Sequence, residues 1–207
     1  MYRPRAFAVD DRPALHEVIR NRVFATFALV HEGRVQFAYA PVVVDADANE
    51  IRFHLAKANP VAALADGARV AVSFAGPDAY VSPDWYETGG LVPTWNYIAV
   101  EGEGIARTLT RDELLALLGD LSAQEEKTLF PKTPWTLEKL GATRIDALLH
   151  AIEGFALGFE RLEGKFKLSQ DKKPADFERV IAALEASGDA ASRAVASAMR
   201  TQKSSAP

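Results

Sequence analysis

The 207-residue chain contains no cysteine. That one absence excludes disulfides, thiolate metal sites, iron–sulfur clusters and cysteine nucleophiles together. Only four histidines are present, His16, His31, His54 and His150. No two are spaced like a metal pair on a helix, so no metal site is expected. No apolar run approaches the roughly 18 to 20 residues of a membrane helix. Asp10, Asp11 and Arg12 stand where a signal peptide needs its apolar segment, so a soluble, cytoplasmic protein without membrane partners is expected.

Familiar catalytic signatures are missing too. The stretch from Gly158 to Lys165 fails as a phosphate loop, because five residues separate its glycines and Phe166 stands where Ser or Thr must hold magnesium. Gly102-Glu-Gly104 lacks the third glycine of a dinucleotide fingerprint and sits in a strand pattern. There is no G-x-S-x-G elbow. Glu101 and Glu103 share a strand face and read as solvated or salt-bridged carboxylates. No general acid or base stands out, and no catalytic residue is assigned.

What is present is an ordinary globular composition, 48% hydrophobic and 25% charged, which excludes a chain disordered throughout. The net charge of −4 is uneven: residues 1 to 164 carry −7 and residues 165 to 207 carry +3. A strongly acidic main body disfavours direct DNA binding, and the C-terminal Lys172, Lys173, Arg179, Arg193 and Arg200 are the only candidate basic surface.

The order of elements points to a mainly β fold with helices. Asp10 or Asp11 caps a helix to about Arg22, with Leu15, Val18 and Ile19 on one face. Phe24 to Val30 and Val35 to Val44 form a hairpin around His31-Glu-Gly-Arg34, and Ile51 to Leu55 alternates as a third strand. Pro60 to Asp66 makes a short helix ended by Gly67, followed by a strand over 68–74. The Gly, Pro and aromatic density from Gly76 to Pro93 predicts an ordered loop. A long strand over 94–108 follows, with Gly102 and Gly104 as places for a bulge or bend. Thr110 and Glu113 form a capping box for a helix to about Lys127. A helix over 144–152 precedes a last strand over 154–163. Phe177, Val180, Ile181 and Leu184 repeat at helical spacing in a C-terminal helix expected to pack on the body. Six or seven strands with marginal helices suggest a small antiparallel barrel.

Three segments carry chemistry. His54-Leu-Ala-Lys57-Ala-Asn59-Pro60 leaves a strand and enters a helix, gathering an imidazole, a cation and an amide that suit a phosphate, although an exposed Lys and a helix cap fit equally. Tyr80 to Tyr97 holds five large rings that wall a flat heteroaromatic ligand or fill a core or dimer interface. Lys165-Phe-Lys167-Leu-Ser169-Gln170 presents lysines to an anion or to water.

At these residues the sequence resembles the PaiB-type FMN-binding proteins, named as negative transcriptional regulators of protease synthesis and sporulation. The resemblance rests on Met1-Tyr-Arg-Pro4, His54 to Asn59, Gly76 to Tyr86, Val92-Pro-Thr-Trp-Asn-Tyr97 and Leu162 to Gln170, in order and at matching distances. It implies an FMN-binding split β-barrel of antiparallel Greek-key type, the fold of pyridoxamine-phosphate oxidases, over residues 1–170. A C-terminal helical extension, 171–202, and a disordered tail, 203–207, would follow. The resemblance further implies a homodimer with flavin at the subunit interface. His54, Lys57 and Asn59 would hold the FMN phosphate. Tyr39, Ala40, Pro41 and Val42 would lie along the ring system, and Trp95, Asn96 and Tyr97 would reach it from the other subunit. Ser82, Trp85, Lys167 and Gln170 would neighbour the pocket. The chain departs from the family at Tyr39, where members usually carry His, and at Asp78, often His. The function implied is a flavin-dependent redox or sensing role, with FMN-dependent oxidoreductase activity and negative regulation of transcription left open. The alternatives are a DNA-binding repressor without enzymatic activity, and a split barrel holding haem or another planar cofactor.

Overall fold

A computed structural model describes residues 1–204, the last two by backbone alone. Among these residues the chain forms β1 (Ala8–Val9), α1 (Arg12–Asn21), β2 (Phe24–His31), β3 (Arg34–Asp45), β4 (Glu50–Ala56), α2 (Pro60–Ala65) and β5 (Arg69–Val81). It continues through β6 (Thr94–Thr108), α3 (Arg111–Glu126), α4 (Ala142–Leu149), β7 (Ile152–Gly158), β8 (Arg161–Lys167), α5 (Pro174–Ala186) and α6 (Ala190–Ser204). Residues 203 and 204 of the expected tail therefore belong to α6, and 205–207 lie outside the described residues. Two compact units emerge: Arg12–Phe74 with Glu101–Leu162, and Met1–Asp11 with Ala75–Val100 and Glu163–Pro207.

The first unit is a closed antiparallel barrel. Its strands run in the hydrogen-bonded order β6-β5-β2-β3-β4-β7, and β7 returns to β6. Closure leaves this ring no free edge. The β2–β3 hairpin turns through Glu32 and Gly33 at φ 50° and 73°, the paired left-handed geometry whose twist matches that of the flanking strands. Period-two alternation sends Ala25, Phe27 and Leu29 of β2, Ala38, Ala40 and Val42 of β3, and Ile51, Phe53 and Leu55 of β4 into the barrel. Phe27 stacks on Phe53 at 4.0 Å between ring centroids, and Phe53 meets Phe155 at 5.5 Å. The small Ala38, paired with Phe27 across β2 and β3, leaves room for these rings.

Gly102 and Gly104, expected at a bulge or bend, serve close approach. A Cβ on Gly104 would lie 2.0 Å from the carbonyl oxygen of Gly158, and one on Gly102 would lie 2.5 Å from the Phe159 ring. They let β6 close against the turn after β7. The Thr110–Glu113 capping box starts α3, whose Leu114, Leu117 and Leu121 join Leu109, Leu149 and Ala156 in a cluster beside the barrel. Glu103 is salt-bridged, its carboxylate 2.8 Å from the Arg161 guanidinium, as a structural reading of that carboxylate requires.

The second unit holds β1 on β8, the outer ends of β5 and β6, and the two C-terminal helices. Phe177, Val180, Ile181 and Leu184 of α5 and Val195, Ala196 and Met199 of α6 are buried with Ala79, Val81, Tyr86 and Leu168. Gly188 adopts φ +76° in the link between the helices. The N-terminal ammonium and Arg3 both meet the Glu163 carboxylate.

Several boundaries differ from the sequence reading: the helix expected over 144–152 is Ala142–Leu149, with Ile152 already in β7, and two larger differences concern the strands. β5 continues to Val81, so Gly76-Pro77 lies within a strand; glycine is required there because a Cβ would sit 2.7 Å from Ile98. The expected last strand breaks at Phe159-Glu160, giving β7 and β8 and a total of eight strands among the described residues.

Candidate functional site

The residues singled out from the sequence fall into separate groups. On β3 the pleat sends Tyr39 and Pro41 outward while Ala40 and Val42 sit in the barrel core, each 2% exposed. A ligand outside the barrel meets the backbone of those two and the side chains of the others. Val42 pairs with Phe53. The neighbouring outward residues Pro41 and His54 line one cleft of about 530 Å³, walled also by Leu118, Leu121, Trp135 and Ile152. The Nδ1 atom of His54 is closed to solvent and has no hydrogen-bond partner. Burial pushes the pKa of His54 below the usual 6.5, so the ring is held neutral near pH 7.

Lys57 follows β4 and sits at a neighbouring cleft of about 230 Å³, with Ile152 as a shared wall. Its ammonium is 3.5 Å from Glu153, and Arg111 and His150 line the same cleft. Arg111 is paired with Asp146, whose backbone carbonyl meets His150 Nδ1 at 2.6 Å. Sequence reasoning missed Arg111 and His150 because they come from α3 and the end of α4, far along the chain from Lys57. Asn59 is committed locally: its side-chain oxygen accepts the Val61 N–H at 2.9 Å as the cap of α2.

The remaining candidates belong to the second unit. Trp95 and Tyr97 lie on one face of β6, and Asn96 on the other. Trp95 is exposed and meets Tyr80 edge to face at 6.2 Å; the Lys165 ammonium lies 5.3 Å from the Tyr97 ring centroid. Asn96 is fully buried and donates to the Ser169 hydroxyl at 2.9 Å. Lys167 donates to the Thr94 hydroxyl and the Trp95 carbonyl, while burial lowers its pKa. Gln170 clamps the turn after β8, accepting from Leu168 N–H and donating to the Phe166 carbonyl. The Ser82 hydroxyl caps the short 3-10 turn Pro83–Trp85, and Trp85 packs against the core that α5 and α6 complete.

A further outward feature was not singled out in the sequence. Phe24, Val30, Val35, Phe37 and Tyr39 are all exposed on the paired strands β2 and β3. Rows of large apolar side chains on a sheet face mark a binding surface, where isolated exposed residues would need no explanation.

Comparison with known proteins decides the family. Residues 1–161 match the family described as "Putative FMN-binding domain". The chain belongs to this family. FMN is the cofactor that membership in the FMN-binding family assigns to it. The neutral, unpartnered His54 ring nitrogen in an apolar cleft fits such a group, because it offers a hydrogen bond beside surfaces that suit a planar ring. The chain is 31% identical over 188 residues to the protease synthase and sporulation protein PAI 2 of Bacillus subtilis, covering 89% of each, which bears out the PaiB-type resemblance. A protein of Emericella nidulans is 29% identical over 204 residues, with 80% of this chain and 81% of that one covered.

Solved structures bear out the split-barrel fold of this FMN-binding family member. The FAD and heme binding protein of Mycobacterium smegmatis aligns with a TM-score of 0.54 at 20% identity, over 77% of this chain and 73% of that one. The flavocytochrome Anf3 of Azotobacter vinelandii aligns with a TM-score of 0.57 at 13% identity, over 80% and 72%. Among the described residues no helix is long and apolar enough to cross a membrane.

Proposed function

We propose that the protein is a homodimeric, cytoplasmic flavoprotein of the PaiB type that uses bound FMN for redox chemistry or redox sensing. The observation that carries the proposal is His54, whose side chain lines a cleft of about 530 Å³ and whose buried Nδ1 lacks a partner. That volume falls within the roughly 300 to 1,000 Å³ of small-molecule sites. Tyr39, Pro41 and His54 would receive the ring system, with the backbone of Ala40 and Val42 along its edge. Lys57 would meet the phosphate by exchanging its contact with Glu153, aided by Arg111. Asn59 shapes this region by capping α2. Bound flavin supplies one- and two-electron transfer, which no cysteine of this chain can supply.

The same surface supports the dimer reading. A second copy would cover the apolar row from Phe24 to Tyr39, and its exposed Trp95 and half-buried Tyr97 are aromatic rings suited to flank a flavin. Ser82, Trp85, Lys167 and Gln170 would support that contribution by holding the loop and turn that flank the rings. Lys167 does so most directly, through its bond to the Trp95 carbonyl.

A regulatory role through the flavin's redox state is favoured over direct DNA contact. The basic C-terminal residues are largely spent locally: Lys172 pairs with Asp171, Arg179 with Glu87, and Arg200 with Glu185, while Arg193 donates to the Gly188 carbonyl. Phosphate neutralisation needs a free basic face. The test is the visible spectrum of natively purified protein with and without added FMN, followed by a flavin fluorescence titration. Saturable flavin binding supports the reading; a Soret band in place of flavin absorption would establish haem instead.

A further inference from the structure

The second unit contains a small pocket apart from the His54 and Lys57 clefts, sharing with the expected flavin residues only Asn96 and Lys167. It has a volume of about 140 Å³ and is lined by Tyr86, Leu91, Val92, Thr94, Asn96, Lys167, Ser169, Asp171 and Lys172. Its construction is not that of a passive gap. Tyr86 is 92% buried, at 8% exposure, and its hydroxyl is closed to solvent with no hydrogen bond of normal geometry; the Ser169 hydroxyl beside it is already engaged with Asn96 both as acceptor and as donor. An orphaned buried hydroxyl is costly and points to an absent partner. Ser169 is a buried non-glycine residue at φ +62°, a conformation held in place by the Gln170 clamp on Leu168 and Phe166 and by the Asn96–Ser169 pair. Backbone strain maintained in a pocket wall is a pointer to function.

The charges select the ligand. Lys167 has three N–H donors, and bonds to Thr94 and Trp95 use two of them. Lys172 adds a second cation, already bound to Asp171 at 2.9 Å. The lining thus has a surplus of a single positive charge, too little for a phosphate dianion and suited to a monoanion. Leu91 and Val92 supply apolar wall for a short tail. Volumes of this size hold a molecule of about benzene's dimensions.

We propose that this pocket binds a small monocarboxylate with a short alkyl or aryl tail, its carboxylate accepting hydrogen bonds from the Tyr86 hydroxyl and the Lys167 ammonium. Such a ligand would satisfy the orphan hydroxyl and the remaining lysine donor at once, while its tail rests on Leu91 and Val92. These ligand contacts require no bound flavin, although Lys167 also holds the Trp95 carbonyl.

The test uses the full chain saturated with FMN, titrated with sodium butyrate and sodium benzoate against chloride and phosphate at matched ionic strength. Binding is read by calorimetry and by the thermal midpoint. The expected result is saturable binding of at least one carboxylate, with a rise in midpoint that chloride and phosphate do not produce. Tyr86→Phe should fold, bind FMN as before and lose about tenfold in carboxylate affinity, the worth of a hydrogen bond to a charged group. Lys167→Met should lose more. The proposal is overturned if neither carboxylate binds up to about 50 mM, the limit of weak specific affinity. A pocket that holds water alone gives that result. Equal response to phosphate, or unchanged carboxylate binding by Tyr86→Phe, overturns it as well.

Discussion

Replacing Gly104 with alanine tests how the barrel closes. The added Cβ would stand 2.0 Å from the Gly158 carbonyl oxygen and 3.1 Å from its carbon, where ordinary contact begins at 3.4 Å. Both atoms are backbone, so no side-chain rotation relieves the clash, and β6 and β7 must separate by more than an ångström. The adjacent Glu160 N–H to Glu103 carbonyl bond, 3.0 Å long, would be strained as well. Overpacking of this kind costs about 3 kcal/mol, and a weakened hydrogen bond adds about 1 kcal/mol. For a chain of this length the sum lowers the thermal midpoint by roughly 10 °C. The same substitution at Gly119 is the control. That residue lies inside α3 with nothing within 4 Å of its new Cβ, so alanine should stabilise by about 1 kcal/mol through helix propensity. Urea unfolding of both variants checks the pair. Equal effects of the same sign, or a change at Gly104 under about 0.5 kcal/mol, would refute the closure argument.

Three further outcomes are expected. His54→Phe should raise the stability of flavin-free protein by about 1 kcal/mol by removing the orphan nitrogen and should weaken FMN binding; calorimetric melting and a fluorescence titration read the two effects separately. Burial lowers the pKa of both His16 and His54, so the unfolded chain binds more protons near and below 6.5. Their contribution to stability is therefore present above that pH and is lost as pH falls through the depressed folded values. Urea midpoints should hold steady from about pH 8 to 7 and decline toward pH 5.5, with a shallower decline in His54→Phe; a protein more stable at the lower pH contradicts this. Phe37→Glu places a charge on a side chain already exposed in the protomer, so folding should survive while light scattering reports monomers in place of dimers.

Legibility in the sequence varied by element for physical reasons. The capping box at Thr110, the Glu32-Gly33 turn and the helical stripe from Phe177 to Leu184 are local signals, and each appears where its chemistry requires. Gly76-Pro77 misled because both residues favour turns, whereas here the glycine is needed by a neighbouring strand's Ile98. The strand expected over Val35 to Val44 carried no signal for which face is inside. Hydrophobic bulk alone would turn Phe37 and Tyr39 inward, yet the barrel, already filled by Phe27, Phe53 and Phe155, admits only Ala38 and Ala40 there. The larger rings are therefore left outside, on the surface that the proposed dimer and flavin would use. Similarly, His54 and Lys57 were legible as one short motif but line two clefts, because a strand's outward side chains and the turn beyond it face different neighbours from α3 and α4.

The most direct measurement is an FMN titration of the flavin-free protein, followed by flavin fluorescence and repeated with Tyr39→Ala, His54→Phe and Lys57→Met. The account predicts saturation at one FMN per chain, with affinity weakened by all three substitutions. Saturable binding that none of them alters, or no binding at all, would contradict the assignment of this face of the barrel to the flavin.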